Sequence, residues 1–383
     1  MMRPQVTHDY HPSAQVEICS ATLSYFGPNV ARRLRMKPEE LRAKLGDRPL
    51  MSSLMETPLG NVAVVTVPMT FVDMIRDRRL AVDYGQAALD MVRAMGARHV
   101  SQSGLLASAL DYGALLDAPE GMLTTGHATT AASILLTVEA VLTRCGRTWR
   151  SEAVGVLGVG SIGQTTIAAA IEAFGLPHQI VLSDLVSKRA EITGFAGNLR
   201  AMYPGLDVSF VDAGRHGPGP LYESSLIVGS TSTPGVLRIE LIPPGSIVVD
   251  DSVPHCFNVN RAFARAAATK DVIVANGGAV RFPEPFPSTS YLPTLLRDAL
   301  NWPTGIYRSP DITSCILSPL LMARHSDLPA TLGKSAPVAA VQAFATAMDA
   351  HAITAPPIRC GGRTLSSDYL DQFAERFGDT GAS

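Results

Sequence analysis

Three glycines, Gly158, Gly160 and Gly163, follow a run of apolar residues with the spacing G-x-G-x-x-G. In such a loop the first glycine permits a tight turn, the second lets a pyrophosphate approach the backbone, and the third lets a helix pack closely on a strand. The following helix would offer the phosphates its unpaired N–H groups. The spacing therefore predicts a dinucleotide site that includes Ser161 and Ile162, the alternative being glycines that serve only a strand-to-helix turn.

Asp184 follows Gly163 by twenty-one residues and ends the next predicted strand. A carboxylate at that place accepts hydrogen bonds from the ribose hydroxyls and repels a 2′-phosphate, which favours NADH. Lys188 and Arg189 lie one helical turn further on and could instead bind the 2′-phosphate of NADPH. The residues alone leave the choice of cofactor open, and Asp184 has the alternative role of a helix cap.

Small polar residues follow three later predicted strands. Because ligands bind outside the carboxyl ends of parallel strands, these loops are expected to face the nicotinamide. The residues singled out for cofactor binding are Ser230, Thr231, Asn276 and Gly277. His255 lies in the second of these loops and is a candidate catalytic residue. No HExxH or similar metal spacing occurs, so the sequence predicts no metal catalysis.

Cys315 is the most promising thiol among five cysteines. The number is odd and no CxxC pair occurs, which indicates neither a disulfide framework nor a zinc site. Ser318 and Pro319 are interpreted as an N-cap and a first helical residue, which would place Cys315 just before a helix N-terminus that favours thiolate. A thiolate beside a nicotinamide could accept an acyl group from a thioester, and hydride would then release an aldehyde. A buried, unreactive cysteine is the alternative.

Two histidines and the basic clusters complete the candidates. His127 begins a predicted helix and could protonate or polarise a thioester carbonyl, unless it is only a capping or exposed residue. His325 follows Cys315 by ten residues, about 15 Å along a straight helix, so direct activation of the thiol is not expected. The arginines and lysines of residues 32–37 and 76–79 could dock an acidic carrier protein, or form solvated faces.

The elements that position these residues predict an α/β fold. From residue 153 onward, short apolar strands alternate with helices, which indicates a Rossmann-type doubly wound parallel sheet. The predicted domains are an N-terminal α+β substrate and catalytic domain with a long crossing helix (1–150), the Rossmann domain (151–290), and a C-terminal helical region packing back on the first domain (291–383). The proline-rich stretch 282–293 is interpreted as a loop or lid, and residues 1–20 as a loose lead-in.

Composition excludes several classes of protein. The chain has 383 residues, of which 46% are hydrophobic and 17% charged, and its net charge is −2. Such a chain is neither disordered nor a nucleic-acid binder. The N-terminus lacks the apolar core of a signal peptide, and the most apolar helical stretch, residues 131–142, is short for a bilayer span. We expect a cytoplasmic protein without integral membrane association. The sequence does not determine its oligomeric state.

The order of motifs from about residue 60 to about 355 resembles the cyanobacterial-type fatty acyl-(acyl carrier protein) reductases, which make aldehydes from acyl thioesters. The stretches that carry the likeness are Gly60-Asn61-Val62, Met74-Ile75-Arg76, Ser103-Gly104-Leu105-Leu106-Ala107-Ser108, Thr124-Thr125-Gly126 with Thr130-Ala131, Gly160-Ser161-Ile162-Gly163, Val248-Val249-Asp250 with Pro254, and Asn276-Gly277-Gly278.

The resemblance implies that Cys315 carries the acyl group, that NADPH is the cofactor, and that the substrate is borne by acyl carrier protein or coenzyme A. The chain departs from the family at Asp251 and Ser252, where glycines are typical, and at Ser318 and Pro319, where an acidic residue is typical. A more distant likeness is to glutamyl-tRNA reductases and shikimate dehydrogenases. The alternatives are therefore a dehydrogenase acting on a free small molecule by direct hydride transfer, and a non-catalytic dinucleotide-binding protein.

Overall fold

The computed structural model describes residues 17–27, 30–213, 219–300 and 306–379. The chain divides into two structural units, each made of several segments. The first comprises Met1–Thr129, Phe282–Lys334 and Thr346–Ala352, and the second comprises Thr130–Arg281, Ser335–Ala345 and Ile353–Ser383.

The strands, in chain order, are β1 Ser20–Phe26, β2 Leu50–Thr57, β3 Gly60–Thr70, β4 His99–Gln102, β5 Leu123–Thr124, β6 Ala153–Leu157, β7 Gln179–Asp184, β8 Val208–Asp212, β9 Leu226–Gly229, β10 Ser246–Asp250, β11 Val272–Asn276, β12 Ala279–Ser290, β13 Ile306–Thr313, β14 Arg359–Cys360 and β15 Arg363–Thr364. The helices are α1 Val30–Leu34, α2 Pro38–Lys44, α3 Phe71–Arg76, α4 Arg78–Ala94, α5 Leu105–Ala109, α6 His127–Arg144, α7 Ser161–Phe174, α8 Arg189–Met202, α9 Val259–Thr269, α10 Thr294–Leu300, α11 Ser314–Arg324, α12 Val338–Ala350 and α13 Ser367–Phe377.

The first unit is built on a mixed sheet with the order β13-β12-β2-β3-β1-β4-β5. Strand β1 lies inside this sheet and runs parallel to both β3 and β4, while β2 runs antiparallel to β3. Helix α4 packs on the sheet through its buried face, which includes Ala81, Ala88, Leu89 and Val92. The carboxyl ends of β1, β3 and β4 therefore meet at one edge of the sheet, where loops can gather polar side chains.

The second unit contains a six-stranded sheet with the order β11-β10-β9-β6-β7-β8, in which every strand pair is parallel. This is the strand order of the Rossmann fold, and it confirms the predicted fold class. The strand order reverses between β6 and β9, so the loop after β6 lies at the switch point where such sheets bind ligands. The alternation of short apolar strands and helices predicted from residue 153 onward is observed in β6 to β11 and the helices between them.

The structure corrects several predictions about segments. The proline-rich stretch 282–293 is largely strand: β12 includes Pro283, Pro285 and Pro287, and it pairs with β2 only from Ser288 onward. Proline lacks an N–H for the ladder, and all three prolines lie outside the stretch that pairs with β2. Residues 1–16 of the predicted lead-in lie outside the described part of the chain, and Ser20 begins β1.

The observed division also differs from the predicted domains 1–150, 151–290 and 291–383. It falls inside α6, between Thr129 and Thr130, rather than near residue 150. The C-terminal region is not one body, since Phe282–Lys334 belongs to the first unit and Ile353–Ser383 to the second.

Candidate functional site

The glycine loop of the second unit connects β6 to α7. Gly158 has φ +95°, and a Cβ there would lie 2.6 Å from the carbonyl oxygen of Ser230. A Cβ on Gly163 would collide with the carbonyl oxygen of Gly158, whereas a Cβ on Gly160 would meet nothing within 4 Å. The first and third glycines are thus required by close backbone packing. The second leaves open space in front of the N-terminus of α7, as approach by a phosphate requires.

Several predicted cofactor residues surround this loop. Ser161 and Ile162 are partly exposed in the first turn of α7. The Ser230 hydroxyl donates to the Gly158 carbonyl at 2.7 Å, and the Thr231 amide donates to Ser252 Oγ at 2.9 Å. The structure therefore brings the loop after β9 against the glycine loop.

Asp184 ends β7, as predicted, but its carboxylate is buried and hydrogen-bonded to the backbone. It accepts the Val159 amide at 2.8 Å and the Leu185 amide at 2.7 Å. The Lys188 ammonium lies 3.2 Å from Asp184 Oδ2, and the Lys188 side chain is itself 42% exposed. Because the carboxylate fixes the glycine loop and is balanced by a lysine, its charge is a weaker barrier to a 2′-phosphate than the sequence suggested.

At the next strand ends, Asp250 organises the loop after β10. Its carboxylate accepts the amides of Ser252 and Cys256 at 3.1 Å each, and it lies 2.8 Å from His255 Nδ1. His255 Nε2 lies 3.7 Å from the Cys360 sulfur. Both ring nitrogens of His255 therefore face groups of the second unit, and this arrangement fixes the ring orientation.

The loop after β11 lies beside this network. The Gly277 amide donates to the Asp250 carbonyl at 3.0 Å, and the Gly277 carbonyl accepts the Ser133 hydroxyl at 2.8 Å. The buried Asn276 Oδ1 has no hydrogen-bond partner among the described residues. A buried acceptor without a partner favours a ligand that donates a hydrogen bond to it, here at the carboxyl edge of the parallel sheet.

Asp251 is a candidate that sequence reasoning did not select, since it was noted only as a departure from the family. Burial, and secondarily the Asp250 carboxylate, raises the pKa of Asp251 to about 8. Its carboxyl group lies so close to Gly278 that a Cβ there would collide with it. At neutral pH this carboxyl group is therefore mostly protonated and can donate a hydrogen bond at the carboxyl edge of the sheet.

The raised pKa predicts a pH dependence of stability. Between pH about 4 and about 8, Asp251 keeps its proton in the folded protein and loses it in the unfolded protein. The free energy of unfolding therefore falls by up to about 1.4 kcal/mol for each unit by which the pH rises in this range. We expect Asp251→Asn to remove this contribution, so that the variant gains stability relative to the unmodified protein toward pH 8. Chemical denaturation at half-unit pH steps measures the difference; two parallel curves would contradict the assignment.

In the first unit, Cys315 is the second residue of α11, not a residue before the helix as predicted. The helix begins at Ser314, with Thr313 as N-cap, and it continues through Ser318 and Pro319. The sequence prediction was wrong about the boundary because Ser-Pro imitates a helix start. The thiol nevertheless lies in the first turn, where the positive end of the helix dipole stabilises negative charge.

The proline explains how Cys315 is held. The amide of residue 319 would normally donate to the carbonyl of Cys315, four residues earlier, but Pro319 has no N–H. The Ser101 hydroxyl donates to that carbonyl instead, at 2.6 Å, and Ser101 is in turn hydrogen-bonded to Thr22 at 2.9 Å. Strands β1 and β4 thereby fix the start of α11.

Two further residues lie beside Cys315. Gly126 has φ +71°, and a Cβ there would lie 3.3 Å from the Cys315 Cα, so this glycine permits the close approach of the two backbones. Burial raises the pKa of Tyr25, the Leu105 amide donating to its hydroxyl lowers it, and the charge of Cys315 raises it further. Tyr25 therefore lies within electrostatic reach of the thiol. Sequence reasoning missed it because β1 was not predicted.

His127 is the first residue of α6, as predicted, and it is buried. Burial lowers the pKa of His127 to about 4. The imidazole is therefore neutral at pH 7, and it can polarise a carbonyl by donating a hydrogen bond but carries no charge in the resting protein.

Three of the remaining thiols are poor nucleophiles. Burial raises the pKa of Cys145 to about 11 and that of Cys360 to about 12, and burial with the nearby Asp250 raises the pKa of Cys256 well above its usual value. Cys19 is partly buried and donates to the Asn61 carbonyl at 3.3 Å. His325 lies at the opposite end of α11 from Cys315, 2.8 Å from His351, which agrees with the expectation that it does not activate the thiol.

The basic clusters are exposed in part. Arg76, Arg78 and Arg79 are exposed at α3 and the start of α4, and Arg78 lies 3.8 Å from Asp111. In the other cluster Arg33, Arg35 and Lys37 are exposed, and the side chain of Arg32 lies outside the described part.

No helix in the described ranges is long and apolar enough to span a bilayer. Within the same ranges, no group of three or more His, Cys, Asp or Glu side chains is arranged to hold a metal ion.

No protein-family model matches the chain, and no curated protein matches its sequence. Similar solved structures include a glutamate dehydrogenase, with 12% identity, 94% of this chain and 78% of that chain covered, and a TM-score of 0.41. Another is quinate dehydrogenase from Corynebacterium glutamicum in complex with NAD, with 14% identity, 87% of this chain and 99% of that chain covered, and a TM-score of 0.35. A third is a short chain alcohol dehydrogenase from E. coli CFT073 complexed with NADH, with 17% identity, 39% of this chain covered and a TM-score of 0.28. This chain spans 42% of that enzyme, which is less than half of its length. All three TM-scores lie below 0.5.

Proposed function

We propose that the chain is an NAD(P)H-dependent oxidoreductase. The observation that supports this most is the glycine loop at the switch point of the parallel sheet. Gly158 and Gly163 are required by backbone packing, while Gly160 leaves open space before the N-terminus of α7. These features fit a dinucleotide pyrophosphate. The Asn276 Oδ1, which no described residue hydrogen-bonds, fits a polar group at the carboxyl edge of the same sheet.

The finer proposal is that the enzyme reduces an acyl thioester, borne by acyl carrier protein or coenzyme A, to an aldehyde through an acyl-cysteine on Cys315. Its support is the position of the thiol in the first turn of α11, the hydroxyl of Ser101 that fixes the cysteine backbone, and the family resemblance. The raised pKa values of Cys145, Cys256 and Cys360 make these three thiols poorer nucleophiles.

In this proposal the Cys315 sulfur attacks the thioester carbonyl, the bond to the carrier sulfur breaks, and the carrier leaves as a thiol after taking a proton. A bound nicotinamide cofactor supplies the hydride that reduces the acyl carbon. The carbon–sulfur bond to Cys315 then breaks, the aldehyde leaves, and the thiolate is restored. Neutral His127 donates a hydrogen bond to the carbonyl oxygen as negative charge develops on it.

A second candidate function is direct hydride transfer to or from a free small molecule, without covalent catalysis. The observation that favours it is the polar network at the carboxyl edge of the parallel sheet. Asp250 orients His255, and Asp251 retains its proton at neutral pH, so an acid and an oriented imidazole lie where Rossmann proteins bind ligands. A non-catalytic dinucleotide-binding protein is the third possibility.

A panel of substrates separates these functions. Acyl-carrier and acyl-CoA thioesters of several chain lengths are incubated with NADH or NADPH, and aldehyde is measured together with cofactor oxidation. The proposal predicts one aldehyde per cofactor oxidised. Cofactor oxidation only with free oxo compounds would support the second function, and tight cofactor binding with no oxidation of any substrate would support the third.

The environment of Asp184 predicts which residue selects the cofactor. Because Lys188 neutralises the carboxylate and is exposed, it is the residue best placed to bind a 2′-phosphate. We expect Lys188→Met to raise the Kd of NADPH about tenfold while the Kd of NADH changes less than about twofold. Fluorescence titration of the two cofactors measures this. An equal change for both would assign Lys188 to loop stability instead.

A further inference from the structure

Gln102 is a fully buried amide whose hydrogen bonds are not made by the described residues. It is the last residue of β4, with no exposed surface, and neither its nitrogen nor its oxygen has a hydrogen-bond partner among them. A buried polar atom without a partner costs about 1–3 kcal/mol, and this side chain carries two of them. Such a group in a folded protein calls for a specific explanation.

A strained turn packs against this amide. Asp111 and Tyr112 have φ values of +52° and +56°, and Gly113 follows with φ +97°. The left-handed region disfavours side chains other than glycine by roughly 1–2 kcal/mol per residue. A Cβ on Gly113 would lie 2.9 Å from Gln102 Nε2 and equally close to Leu332, so only glycine at this position lets the turn approach the amide nitrogen this closely. Strain of this kind concentrates at ligand sites.

The same turn reaches the start of α6. The Tyr112 ring packs edge-on against the His127 ring, with centroids 5.8 Å apart. His127 is 7% exposed, and its Nδ1 also has no hydrogen-bond partner among the described residues. Strands β4 and β5 are paired at Ser101 and Thr124, so Gln102 and the residues leading to His127 leave the sheet at the same edge. Three polar atoms that no described residue hydrogen-bonds thus flank one turn.

We propose that Gln102, with His127, forms a binding subsite for a substrate group that both donates and accepts a hydrogen bond, namely a secondary amide or a hydroxyl. The primary amide of Gln102 offers a donor and an acceptor, and only a group with both satisfies them together. An ionised carboxylate accepts but cannot donate, and an apolar chain does neither. This inference rests on the proposed function in one respect, that the ligand is the acyl thioester.

Two parts of such a substrate carry this chemistry. One is the amide of a pantetheine arm, which carrier-borne and coenzyme A thioesters share. The other is a hydroxyl on the acyl chain. Leu123 and Leu332 also lie beside Gly113, so the polar group meets the amide in otherwise apolar surroundings, where a hydrogen bond discriminates most strongly.

The test uses thioethers, which cannot be reduced, so binding is measured independently of turnover. One matched pair is N-[2-(octylthio)ethyl]acetamide and 2-(octylthio)ethyl acetate, which keep the S–CH2–CH2 spacing of the pantetheine arm and differ only in the amide N–H against the ester oxygen. The second pair compares the octyl with the 3-hydroxyoctyl thioether of the ester. Calorimetry should show that the unmodified protein binds the donating member of one pair about tenfold more tightly. Preference in the first pair identifies the arm amide, and preference in the second identifies the acyl hydroxyl.

Gln102→Leu should abolish that preference and leave the Kd of NAD(P)H unchanged. Because the change removes two unpaired buried polar atoms, thermal stability of the ligand-free protein should stay equal or rise. Gln102→Met serves as a second variant if the branched side chain does not pack.

The inference is overturned if the unmodified protein shows neither preference, if both variants keep it, or if both variants lose stability without ligand. Failure of the proposed function is seen separately, as the absence of aldehyde from every acyl thioester in the substrate panel.

Discussion

Replacing Cys315 by alanine is expected to lower aldehyde formation from acyl thioesters by at least about a thousandfold, because the proposed acyl-cysteine cannot form without this thiol. The thiol lies in the first turn of α11, and the other buried thiols have raised pKa values. The substitution removes one sulfur atom from a partly buried position, so the fold and the affinity for NADPH or NADH should be preserved.

Cys315→Ser tests the role of sulfur itself, since a hydroxyl is a far weaker nucleophile at neutral pH, and it should be nearly as inactive. Cys19→Ala is the matched control: that thiol is also partly buried, and it donates to the Asn61 carbonyl at a distance from the proposed chemistry. It should retain turnover within about twofold. Steady-state rates with a single thioester, together with cofactor titrations, measure all three variants. Undiminished turnover by Cys315→Ala would contradict covalent catalysis and favour direct hydride transfer.

Gly158→Ala is expected to destabilise the second unit and to abolish cofactor binding. The new methyl group would lie 2.6 Å from the Ser230 carbonyl oxygen, and the φ of +95° adds strain of about 1–2 kcal/mol. The loops after β6 and β9 must separate to relieve the contact between the new methyl group and Ser230. This separation displaces the N-terminus of α7. We expect a fall of several degrees in the melting temperature and a rise in cofactor Kd of at least about a hundredfold.

Two glycines provide matched controls for this result. Gly205 has a similar φ of +91° but nothing within 4 Å, so Gly205→Ala shows the cost of strain alone. Gly160 lies in the same loop with nothing within 4 Å, so Gly160→Ala should keep the melting temperature and weaken only the cofactor. Thermal denaturation and fluorescence titration separate the three cases. Normal affinity in both Gly158→Ala and Gly160→Ala would remove the loop from the cofactor site.

The parallel sheet was predictable because its strands are short, continuously apolar and separated by helices, and such runs have few other interpretations. Strand β1 was not predictable in the same way. Its sequence, Ser-Ala-Thr-Leu-Ser-Tyr-Phe, mixes polar and apolar residues, although it lies inside the sheet of the first unit. Its polar side chains have specific partners, as Thr22 has in Ser101. Such partners arise from strands distant in sequence.

The candidate site was predictable in its residue types and less so in its geometry. The Ser318-Pro319 pair resembles a helix start in any local window. Only the packing of α11 on β1 and β4 shows that the helix begins earlier and that Ser101 compensates for the missing proline N–H. The inward orientation of Asp184 and the protonation of Asp251 likewise depend on neighbours brought together by the fold.

The central claim is that Cys315 carries the acyl group, and intact-protein mass spectrometry tests it most directly. The protein is incubated with an acyl-CoA or acyl-carrier thioester without nicotinamide cofactor, then divided, and NADPH or NADH is added to one half. The proposed function predicts a mass increase of one acyl group, located on Cys315 by peptide mapping, that disappears with release of aldehyde when cofactor is added. Aldehyde formation without any adduct, or an adduct on another cysteine that turns over, would contradict it.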